Sequence, residues 1–403
     1  MASIFRRVVG SVLISPILAV SAGAQSPPET FARPAEGFVA RDRLELSGTA
    51  ALGGIAYAPD GSLIVFVDGD LRLYGGSSSP RLLTSLGSPI FGAFAVMSPD
   101  GGAVILCDGA PGNIYSVPLA GGERTPLDLV PFTYDIAFDG SGRGFISANS
   151  GGQKIILLDG DPATENRAVI VNMPGISGPL ALDPDGNLYY ATADFSGDPV
   201  RQTLHRFDAA RLVAAIDGEP IDFADGEELL EELPGLPSMK WLGGKLYASD
   251  FGFGGGLGRV ITIDVAGDLA VEDFATFPID EGILSPTFLA VRPGSFLPGS
   301  GVDGGAILVA YSNFQTVSRL AEISPELHFV RGRVNDDAII DISDAIALLG
   351  FLFLGDTEPQ VIEAADINGD AELDISDSIY LLAYLFGGGP PPPPPFPDPG
   401  PAL

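Results

Sequence analysis

The chain has 403 residues, a formal net charge of −31 at pH 7 and a single cysteine, Cys107. A surface this acidic repels nucleic acid and anionic membranes, so we expect neither as a partner, whereas cations are favoured. One cysteine excludes an intrachain disulfide, and the only two histidines, His205 and His328, lie too far apart in sequence to suggest a zinc site.

The N-terminal segment has the layout of a secretory signal peptide. Arg6 and Arg7 give it a basic start, residues 8–20 form an apolar run, and the small residues 22–24 form a cleavage site. The apolar run is too short to span a bilayer, and no later stretch is apolar enough to do so. We therefore predict cleavage near Ala24, a linker over residues 25–36, no membrane span, and a secreted, extracellular or cell-surface protein.

One phrase recurs six times between residues 37 and 328. Two clear copies are "GIAYAPDGSLIVFVDGD" (54–70) and "FAVMSPDGGAVILCDGA" (94–110). Each copy has an apolar strand, a Gly-rich turn, a second apolar strand and then Asp or Asn. Six such units predict a mainly β fold with a six-bladed β-propeller over 37–328, in which residues 39–46 supply the outer strand of the last blade. A two-sheet β-sandwich would account for the short strands but not for the repeated phrase.

This phrase resembles the "PDGxLYVAD" pattern of NHL and gluconolactonase-like six-bladed propellers. The resemblance covers about residues 37–328 and implies the fold more strongly than the activity. Gluconolactonase-like proteins carry a metal-binding glutamate early in the first blade. The matching stretch here, "ALGGIAYAPDG", has no glutamate.

The connection between the fourth and fifth copies is long. It contains two short helical patterns, at 209–216 and 227–232. This insertion either overhangs one rim of the propeller and shapes a pocket, or is a solvated connector.

An acidic or amide residue ends the second strand of each copy. These six residues are Asp68, Asp108, Asn149, Asp194, Asp250 and Asn313. If they converge at the channel mouth, they could hold a hard cation such as Ca²⁺, which could polarise a lactone or phosphoester. Alternatively, each caps its own turn, because Asp and Asn side chains bond nearby backbone N–H groups.

Two twelve-residue loops follow, 33 residues apart, in segments 331–355 and 364–388. The second loop places oxygen donors at positions 1, 3, 5, 7, 9 and 12 of a calcium loop, with the Glu372 carbonyl at position 7. These residues are Asp366, Asn368, Asp370, Glu372, Asp374 and Asp377. The first loop has Asn335, Asp337, Asp341 and Asp344 at positions 3, 5, 9 and 12, but Arg333 at position 1.

A helix is predicted after each loop, with apolar residues at helical spacing. These residues are Ile342, Ile346, Leu349 and Phe353 in the first helix and Ile375, Ile379, Leu382 and Phe386 in the second. We interpret both sets as the faces through which the two helices pack together in one small domain.

The duplicated loop and helix resemble a type I dockerin over residues 329–388. The resemblance implies bound Ca²⁺ and docking onto a cohesin-like module of another extracellular protein, through loop positions 10 and 11. Those positions are usually small and polar, but here they are Ile342-Ser343 and Ile375-Ser376, and we expect both isoleucines in the core. Residues 389–403 are Pro-rich and predict a disordered tail that could also act as a spacer or bind a partner.

The sequence thus favours an exported calcium-binding protein without catalytic residues that we can name. The propeller would present a surface for a protein, small-molecule or saccharide ligand, and the dockerin-like domain would attach it to another protein. The alternatives are a calcium-dependent hydrolase or lactonase at the propeller rim, or a polysaccharide-acting enzyme in a dockerin-linked assembly.

Overall fold

The computed structural model describes most of the chain after residue 29. The described residues are 30–46, 52–75, 79–87, 94–109, 111–149, 153–158, 168–173, 177–192, 201–252, 257–278, 282, 284–293, 305–326, 328–335, 337, 339–356, 359 and 361–401. The predicted signal peptide and Asp194 lie outside these ranges. No helix within them is long and apolar enough to cross a membrane.

Six sheets, each built on four antiparallel strands, form the N-terminal domain, and we number them as blades in chain order. In blades 1 to 3, four successive strands run from the innermost to the outer position. Blade 1 contains Leu52–Tyr57, Leu63–Val67, Asp70–Tyr74 and Arg81–Ser85. Blade 2 contains Phe94–Met97, Ala103–Cys107, Asn113–Pro118 and Thr125–Leu129. Blade 3 contains Thr133–Phe138, Gly144–Asn149, Gln153–Leu157 and Val169–Met173.

Blades 4 and 5 repeat this order, and blade 6 takes its outermost strand from the N-terminal segment. Blade 4 contains Leu180–Leu182, Leu188–Ala191, Gln202–Phe207 and Glu227–Leu233. Blade 5 contains Ser238–Leu242, Lys245–Asp250, Arg259–Ile263 and Val271–Thr276, with Arg33–Pro34 added at its edge. Blade 6 contains Ser285–Arg292, Ala306–Ser312, Ser318–Pro325 and Phe38–Glu45.

The blades close into a ring. The innermost strand of each blade contacts that of the next, and blade 6 contacts blade 1 in the same way. Apolar side chains fill the space between each pair of neighbouring blades. Second strands are therefore covered on both faces, and Leu63–Val67 is buried along its whole length. This explains why they read as continuous apolar runs in the sequence. The predicted six-bladed propeller is confirmed.

A buried ionic cluster joins the N-terminal strand to the rest of blade 6. Phe38–Glu45 pairs with Ser318–Pro325 of blade 6, which confirms the predicted closing strand. The Asp42 carboxylate accepts hydrogen bonds from the Tyr311 hydroxyl at 2.9 Å and from the Arg319 guanidinium at 2.9 Å. All three side chains are largely shielded from water, so the pairing is specific for this register.

The insertion of blade 4 crosses to the outer edge of blade 3. Helix α1, Ala209–Ile216, forms where a helix is predicted and buries Leu212 against blade 3. Ile221–Asp222 then adds a parallel strand beside Val169–Met173, and a 3₁₀ turn follows at Phe223–Asp225. The insertion is thus packed against the propeller rather than solvated on all sides.

The helix predicted for the second part of the insertion, at 227–232, is wrong. Glu227–Leu233 is the outer strand of blade 4 and pairs with Gln202–Phe207. Cross-strand ion pairs join Arg206 to Glu227 at 3.3 Å and Arg201 to Glu232 at 3.0 Å. The local helix preference of this Glu- and Leu-rich stretch is overridden because the blade supplies a partner strand for its backbone groups.

The described residues of the C-terminal domain form three helices, α2 Ile342–Leu354, α3 Ile362–Ala365 and α4 Ile375–Gly387. Helices α2 and α4 pack against each other, and Leu348 and Leu381 lie at the centre of their shared core. A short strand pair, His328–Phe329 with Gly400–Pro401, brings the two ends of the domain together. A small helical domain after the propeller agrees with the predicted fold class.

The predicted packing faces of α2 and α4 are wrong. Ile342, Ile346 and Phe353 are exposed, as are Ile375, Ile379 and Phe386, and Leu349 and Leu382 are only partly buried. The helices instead bury the faces that contain Leu348 and Leu381.

The reason for this rotation lies in the carboxylates at loop position 12. Asp344 and Asp377 are fully buried at the start of α2 and α4. Asp344 accepts hydrogen bonds from the N–H groups of Val334 and Asp341, at 2.6 and 2.9 Å. Asp377 accepts equivalent bonds from its own loop. Turning these aspartates inward fixes the rotation of each helix and carries the isoleucines at position 10 outward.

Candidate functional site

The two loops of the C-terminal domain share one hydrogen-bond pattern. Asn335 Nδ2 donates to Asp337 Oδ2 at 2.9 Å, and 33 residues later Asn368 Nδ2 donates to Asp370 Oδ2 at 2.8 Å. In return, the Asp337 N–H donates to Asn335 Oδ1, and the Asp370 N–H donates to Asn368 Oδ1. The sequence duplication is therefore also a duplication of loop conformation.

Position 9 of each loop caps the following helix. The Asp341 carboxylate accepts from the Ser343 N–H, and the Asp374 carboxylate accepts from the Ser376 N–H, both at 2.7 Å. Hydrogen bonds from the serine hydroxyl and N–H lower the pKa of each exposed carboxyl group below its usual value. Both groups are consequently ionised at neutral pH, and each completes a helix cap.

The second loop makes the tight turn that a calcium loop needs. Ala371, at position 6, has a φ of +66°, and Gly369, at position 4, has a φ of +76°. The Asp366 carboxylate accepts hydrogen bonds from three N–H groups of this turn, those of Gly369, Asp370 and Ala371, at 2.9, 3.1 and 3.3 Å. Ala371 thus adopts the left-handed conformation that its loop position predicts, despite its Cβ atom.

Two arginines distinguish the loops. Arg331 forms an ion pair with Asp366, with 3.2 Å between Nη1 and Oδ2, and also donates to the carbonyl oxygens of Glu363 and Asp366. Arg333 is half-buried at position 1 of the first loop, where the second loop has Asp366. The first loop therefore replaces an oxygen donor with a cation.

The second loop fits calcium in its chemistry and its turn. It offers four Asp side chains, one Asn side chain and the Glu372 carbonyl, all hard oxygen donors of the kind that Ca²⁺ prefers. Among the described residues, however, no three acidic, His or Cys side chains are grouped closely enough to share one metal ion. In the conformation described, carboxylates such as that of Asp366 are hydrogen-bonded to backbone N–H groups.

Helices α2 and α4 each carry an apolar stripe that faces solvent. We define stripe 1 as Ile342, Ile346 and Phe353, and stripe 2 as Ile375, Ile379 and Phe386. Ile346 and Phe353 are 61% and 63% exposed, and Ile379 and Phe386 are 58% and 71% exposed. Sequence reasoning found these residues but assigned them to the core. Each helix sequence contains two overlapping apolar patterns at helical spacing. This overlap was the signal that one of the two sets could face solvent.

The Pro-rich segment after α4 packs on the C-terminal domain. The Phe396 ring meets the Tyr384 ring edge-on, with 5.5 Å between centroids. The Tyr380 hydroxyl donates to the Pro391 carbonyl at 3.1 Å, and the Arg331 N–H donates to the Pro395 carbonyl at 2.7 Å. The sequence predicts disorder over 389–403, whereas the described part of this segment, 389–401, is held by aromatic and hydrogen-bond contacts.

Two rim aspartates of the propeller are engaged within their own hairpins. Asp108 accepts from the N–H and from Nδ2 of Asn113, at 2.8 and 2.6 Å. Asp250 accepts from the Arg259 guanidinium at 3.0 Å and from the Gly252 N–H at 2.8 Å. Each carboxylate thus stabilises the turn between the second and third strands of its blade.

Asn313 is likewise engaged within its own hairpin. Asn313 Oδ1 accepts from three consecutive N–H groups of its own turn, those of residues 315–317. Asp68 and Asn149 are exposed at the ends of their strands, and Asp68 has a φ of +52°. The sixth residue, Asp194, is outside the described residues. The side-chain hydrogen bonds of Asp108, Asp250 and Asn313 agree with turn formation.

A cavity of about 510 Å³ lies at the centre of the ring. The ends of the innermost strands of all six blades line it, together with the turns that follow some of them. Its larger side chains include Tyr57, Met97, Phe138, Lys240, Trp241 and Arg292. Sequence reasoning missed this site, because its residues come from six separate copies of the repeat and share no motif.

A second cavity, of about 520 Å³, lies between blades 3 and 4. Helix α1 forms one wall through Ala209, Ala210 and Val213, and the first turns of the two blades form the rest. The insertion therefore shapes a pocket, which was one of the two roles expected for it.

Comparison with known proteins identifies the fold. No family model matches the chain, and no curated protein matches it significantly. The PQQ-bound aldose sugar dehydrogenase of Streptomyces coelicolor is 14% identical, and the match covers 72% of this chain and 99% of that one, with a TM-score of 0.50. A carbohydrate-active enzyme of family AA12 from Trichoderma reesei is 11% identical, with 75% and 100% covered and a TM-score of 0.51.

A third solved structure, the PQQ domain of pyranose dehydrogenase from Coprinopsis cinerea, gives the same result. It is 13% identical, the match covers 75% of this chain and 98% of that one, and the TM-score is 0.50. Likeness at this level of identity shows the propeller fold and leaves the activity of this chain open.

Proposed function

We propose that this protein is an exported assembly protein. In this proposal the propeller presents a binding surface, and the C-terminal domain, stabilised by calcium, attaches the propeller to another extracellular protein. The attachment surface consists of stripes 1 and 2.

The exposure of the two stripes carries the proposal. Single exposed apolar residues are ordinary on protein surfaces, but contiguous sets of large ones mark interaction sites. Here the same set occurs on two helices, at positions related by the 33-residue duplication. Burying one stripe of two isoleucines and a phenylalanine would contribute several kcal/mol to association, at about 1.5–3 kcal/mol for each fully buried side chain.

The charge around the stripes specifies the partner. Residues 329–388 contain 12 Asp or Glu residues and only two basic residues, Arg331 and Arg333. We therefore expect a partner protein whose docking surface has an apolar centre bordered by Lys and Arg, because complementary charge favours encounter and excludes wrong partners.

Calcium has a structural role in this proposal. Asp366, Asn368, Asp370, Asp374 and Asp377, with the Glu372 carbonyl, would hold the ion in the second loop. Bound calcium would offset the mutual repulsion of these carboxylates and fix the start of α4, which carries stripe 2. The first loop, with Arg333 at position 1, is expected to bind calcium more weakly.

The calcium proposal is tested by calorimetric titration of the complete mature chain. Wild type should bind one calcium ion strongly, and Asp366→Ala should abolish that binding. Arg333→Asp restores an oxygen donor to the first loop and should raise the stoichiometry to two. Asp268→Ala, in an exposed turn of blade 5, is the matched control and should bind as wild type. Absence of binding to the wild type at millimolar calcium would contradict the proposal.

The docking proposal is tested by affinity capture from the secreted proteins of the native organism, followed by reconstitution with the purified partner. Ile346→Asp combined with Ile379→Asp should weaken binding roughly 30-fold or more, as expected when central interface residues each contribute more than 1 kcal/mol. Leu82→Asp, an exposed leucine of blade 1, is the control. Equal binding of wild type and the double variant by the purified partner would refute docking through the stripes.

The alternative, a calcium-dependent hydrolase or lactonase at the propeller rim, has less support. Such an enzyme needs several oxygen donors directed at one ion. Asp108, Asp250 and Asn313 instead direct their oxygens to backbone or side-chain donors of their own blades. We therefore favour binding and assembly over catalysis.

A further inference from the structure

The central cavity lies on the propeller face opposite the rim aspartates. It is lined by the C-terminal ends of the innermost strands, such as Tyr57 and Arg292. The rim residues follow the second strands, for example Asp108 after Ala103–Cys107. Because the first and second strands of each blade are antiparallel, these two sets lie at opposite ends of the blades. The cavity is therefore separate from the rim.

The charged side chains that line the cavity are cationic, whereas the chain as a whole is acidic. The protein has 52 acidic and 21 basic residues, yet the side chains lining this cavity include Lys240 and Arg292 and no Asp or Glu. A ligand in this partly enclosed site would therefore meet cationic side chains, although the protein as a whole is strongly acidic. Cationic lining groups favour an anionic ligand.

A buried carboxylate from another blade holds Lys240 in place. Lys240 Nζ lies 3.5 and 3.4 Å from the two carboxylate oxygens of Asp135 in blade 3. The Asp135 carboxylate also accepts hydrogen bonds from the N–H groups of Ile136 and Leu180, at 2.9 and 3.3 Å. An ammonium group has three N–H donors, so Lys240 keeps donor capacity for a ligand while Asp135 fixes its position.

Aromatic side chains complete the cavity. Tyr57, Phe138 and Trp241 all line it, and the Arg292 guanidinium lies 5.8 Å from the centre of the Tyr57 ring. The Trp241 ring stacks on Tyr189, with 5.7 Å between centroids and 19° between planes, so its orientation is fixed. Flat apolar walls with a few cationic groups suit a planar ligand that carries one negative charge.

We propose that the central cavity binds a small aromatic or otherwise planar organic acid, whose carboxylate is held by Lys240 and Arg292. The cavity volume of about 510 Å³ lies within the usual range for small-molecule sites. This inference rests on the part of the proposed function in which the propeller presents a ligand site, and it is independent of docking through the stripes.

Trp241 makes the test direct, because it is the only tryptophan in the chain. The complete mature protein is titrated with phenylacetate while tryptophan fluorescence is recorded, and benzyl alcohol and benzylamine serve as neutral and cationic matches. Phenylacetate should give a saturable change with a dissociation constant in the millimolar range or below, roughly tenfold or more tighter than benzyl alcohol. Benzylamine should give no saturable change.

Substitutions locate the binding. Lys240→Met should weaken phenylacetate binding roughly tenfold or more, with little effect on benzyl alcohol. Asp135→Asn combined with Lys240→Met should do the same, without leaving a buried carboxylate unpaired. Lys245→Met, on the next strand of blade 5, is the matched control and should bind as wild type.

Three outcomes would overturn the inference. The first is the absence of a saturable change at phenylacetate concentrations up to roughly 50 mM, far above the dissociation constant of a specific site. The second is equal affinity for phenylacetate and benzylamine. The third is unchanged phenylacetate affinity in a folded Lys240 variant. None of them bears on the docking proposal, because stripes 1 and 2 lie in the C-terminal domain and are tested with a protein partner.

Discussion

At the scale of single residues, Ala371 combines a side chain with a backbone conformation that usually takes glycine. Its φ of +66° lies in the left-handed region. There the Cβ atom of an alanine crowds the backbone, at a cost of about 1–2 kcal/mol. Replacing it with glycine removes this cost but adds about 0.5–1 kcal/mol of backbone entropy to the unfolded chain. Ala371→Gly should therefore stabilise the C-terminal domain by up to about 1 kcal/mol, measured by amide hydrogen exchange in α4.

Ala383 provides the control for this substitution. It lies exposed within α4, where the backbone is helical, so Ala383→Gly should destabilise the same domain by about 1 kcal/mol. If both substitutions to glycine destabilise α4 equally, the turn at Ala371 is not the strained turn described here.

His205 is a second residue with a measurable consequence. Its ring is buried in blade 4 against Phe223, with 4.1 Å between ring centroids, and its Nδ1 has no hydrogen-bond partner among the described residues. Burial lowers the pKa of this imidazole below its usual value of 6.5. The unfolded chain therefore binds a proton at a higher pH than the folded chain does, and stability is lost as the pH falls through 6.5.

His205→Phe should therefore reduce the loss of unfolding free energy between pH 7 and pH 5, measured by urea denaturation of the complete protein. Phe207→Leu, a non-titrating change beside the same Phe223 ring, is the control for altered packing and should keep the pH dependence of wild type. A His205 variant that retains the pH dependence of wild type would show that this imidazole does not titrate on unfolding.

At the scale of elements, the Pro-rich segment acts as part of the C-terminal domain. Phe396 packs on Tyr384, and the backbone of the segment accepts hydrogen bonds from Arg331 and Tyr380. Phe396→Ala should destabilise the domain by about 1–2 kcal/mol through lost apolar and aromatic contact. Phe353→Ala, on the exposed stripe 1, should leave the stability within about 0.5 kcal/mol of wild type. Thermal unfolding of both variants makes the comparison.

Equal stability of wild type and the Phe396 variant would mean that the segment does not hold the domain together.

Composition alone predicted disorder here, because a proline run has no N–H donors and seldom packs on a core. The contacts form because Tyr380 and Tyr384 lie on the side of α4 along which the Pro-rich segment runs back. No local sequence pattern shows this path.

The elements differ in how far the sequence predicts them. Helix α1 follows from its short helical pattern, and α2 and α4 follow from the spacing of their apolar residues. The rotation of α2 was not predictable from that pattern, because the inward turn of Asp344 decides it. The strand Glu227–Leu233 was missed for a related reason, since its partner strand rather than its own composition determines its conformation.

At the scale of the whole molecule, repetition made the propeller predictable and the cavity unpredictable. Six copies of one phrase indicate six blades, and the strand Phe38–Glu45 closes the ring as predicted. The central cavity instead depends on what differs between the copies, above all Lys240, Trp241 and Arg292. Differences between repeats carry no common spacing, so only the assembled ring brings these side chains together.

In our proposal the protein partner binds stripes 1 and 2 and leaves the propeller free, and hydrogen–deuterium exchange of the complete protein with its purified docking partner distinguishes these two surfaces. We predict that the partner slows exchange in Ile342–Leu354, in Ile375–Gly387 or in both, while the propeller strands exchange as in the free protein. Protection confined to the propeller blades, with both helices unchanged, would contradict docking through the stripes.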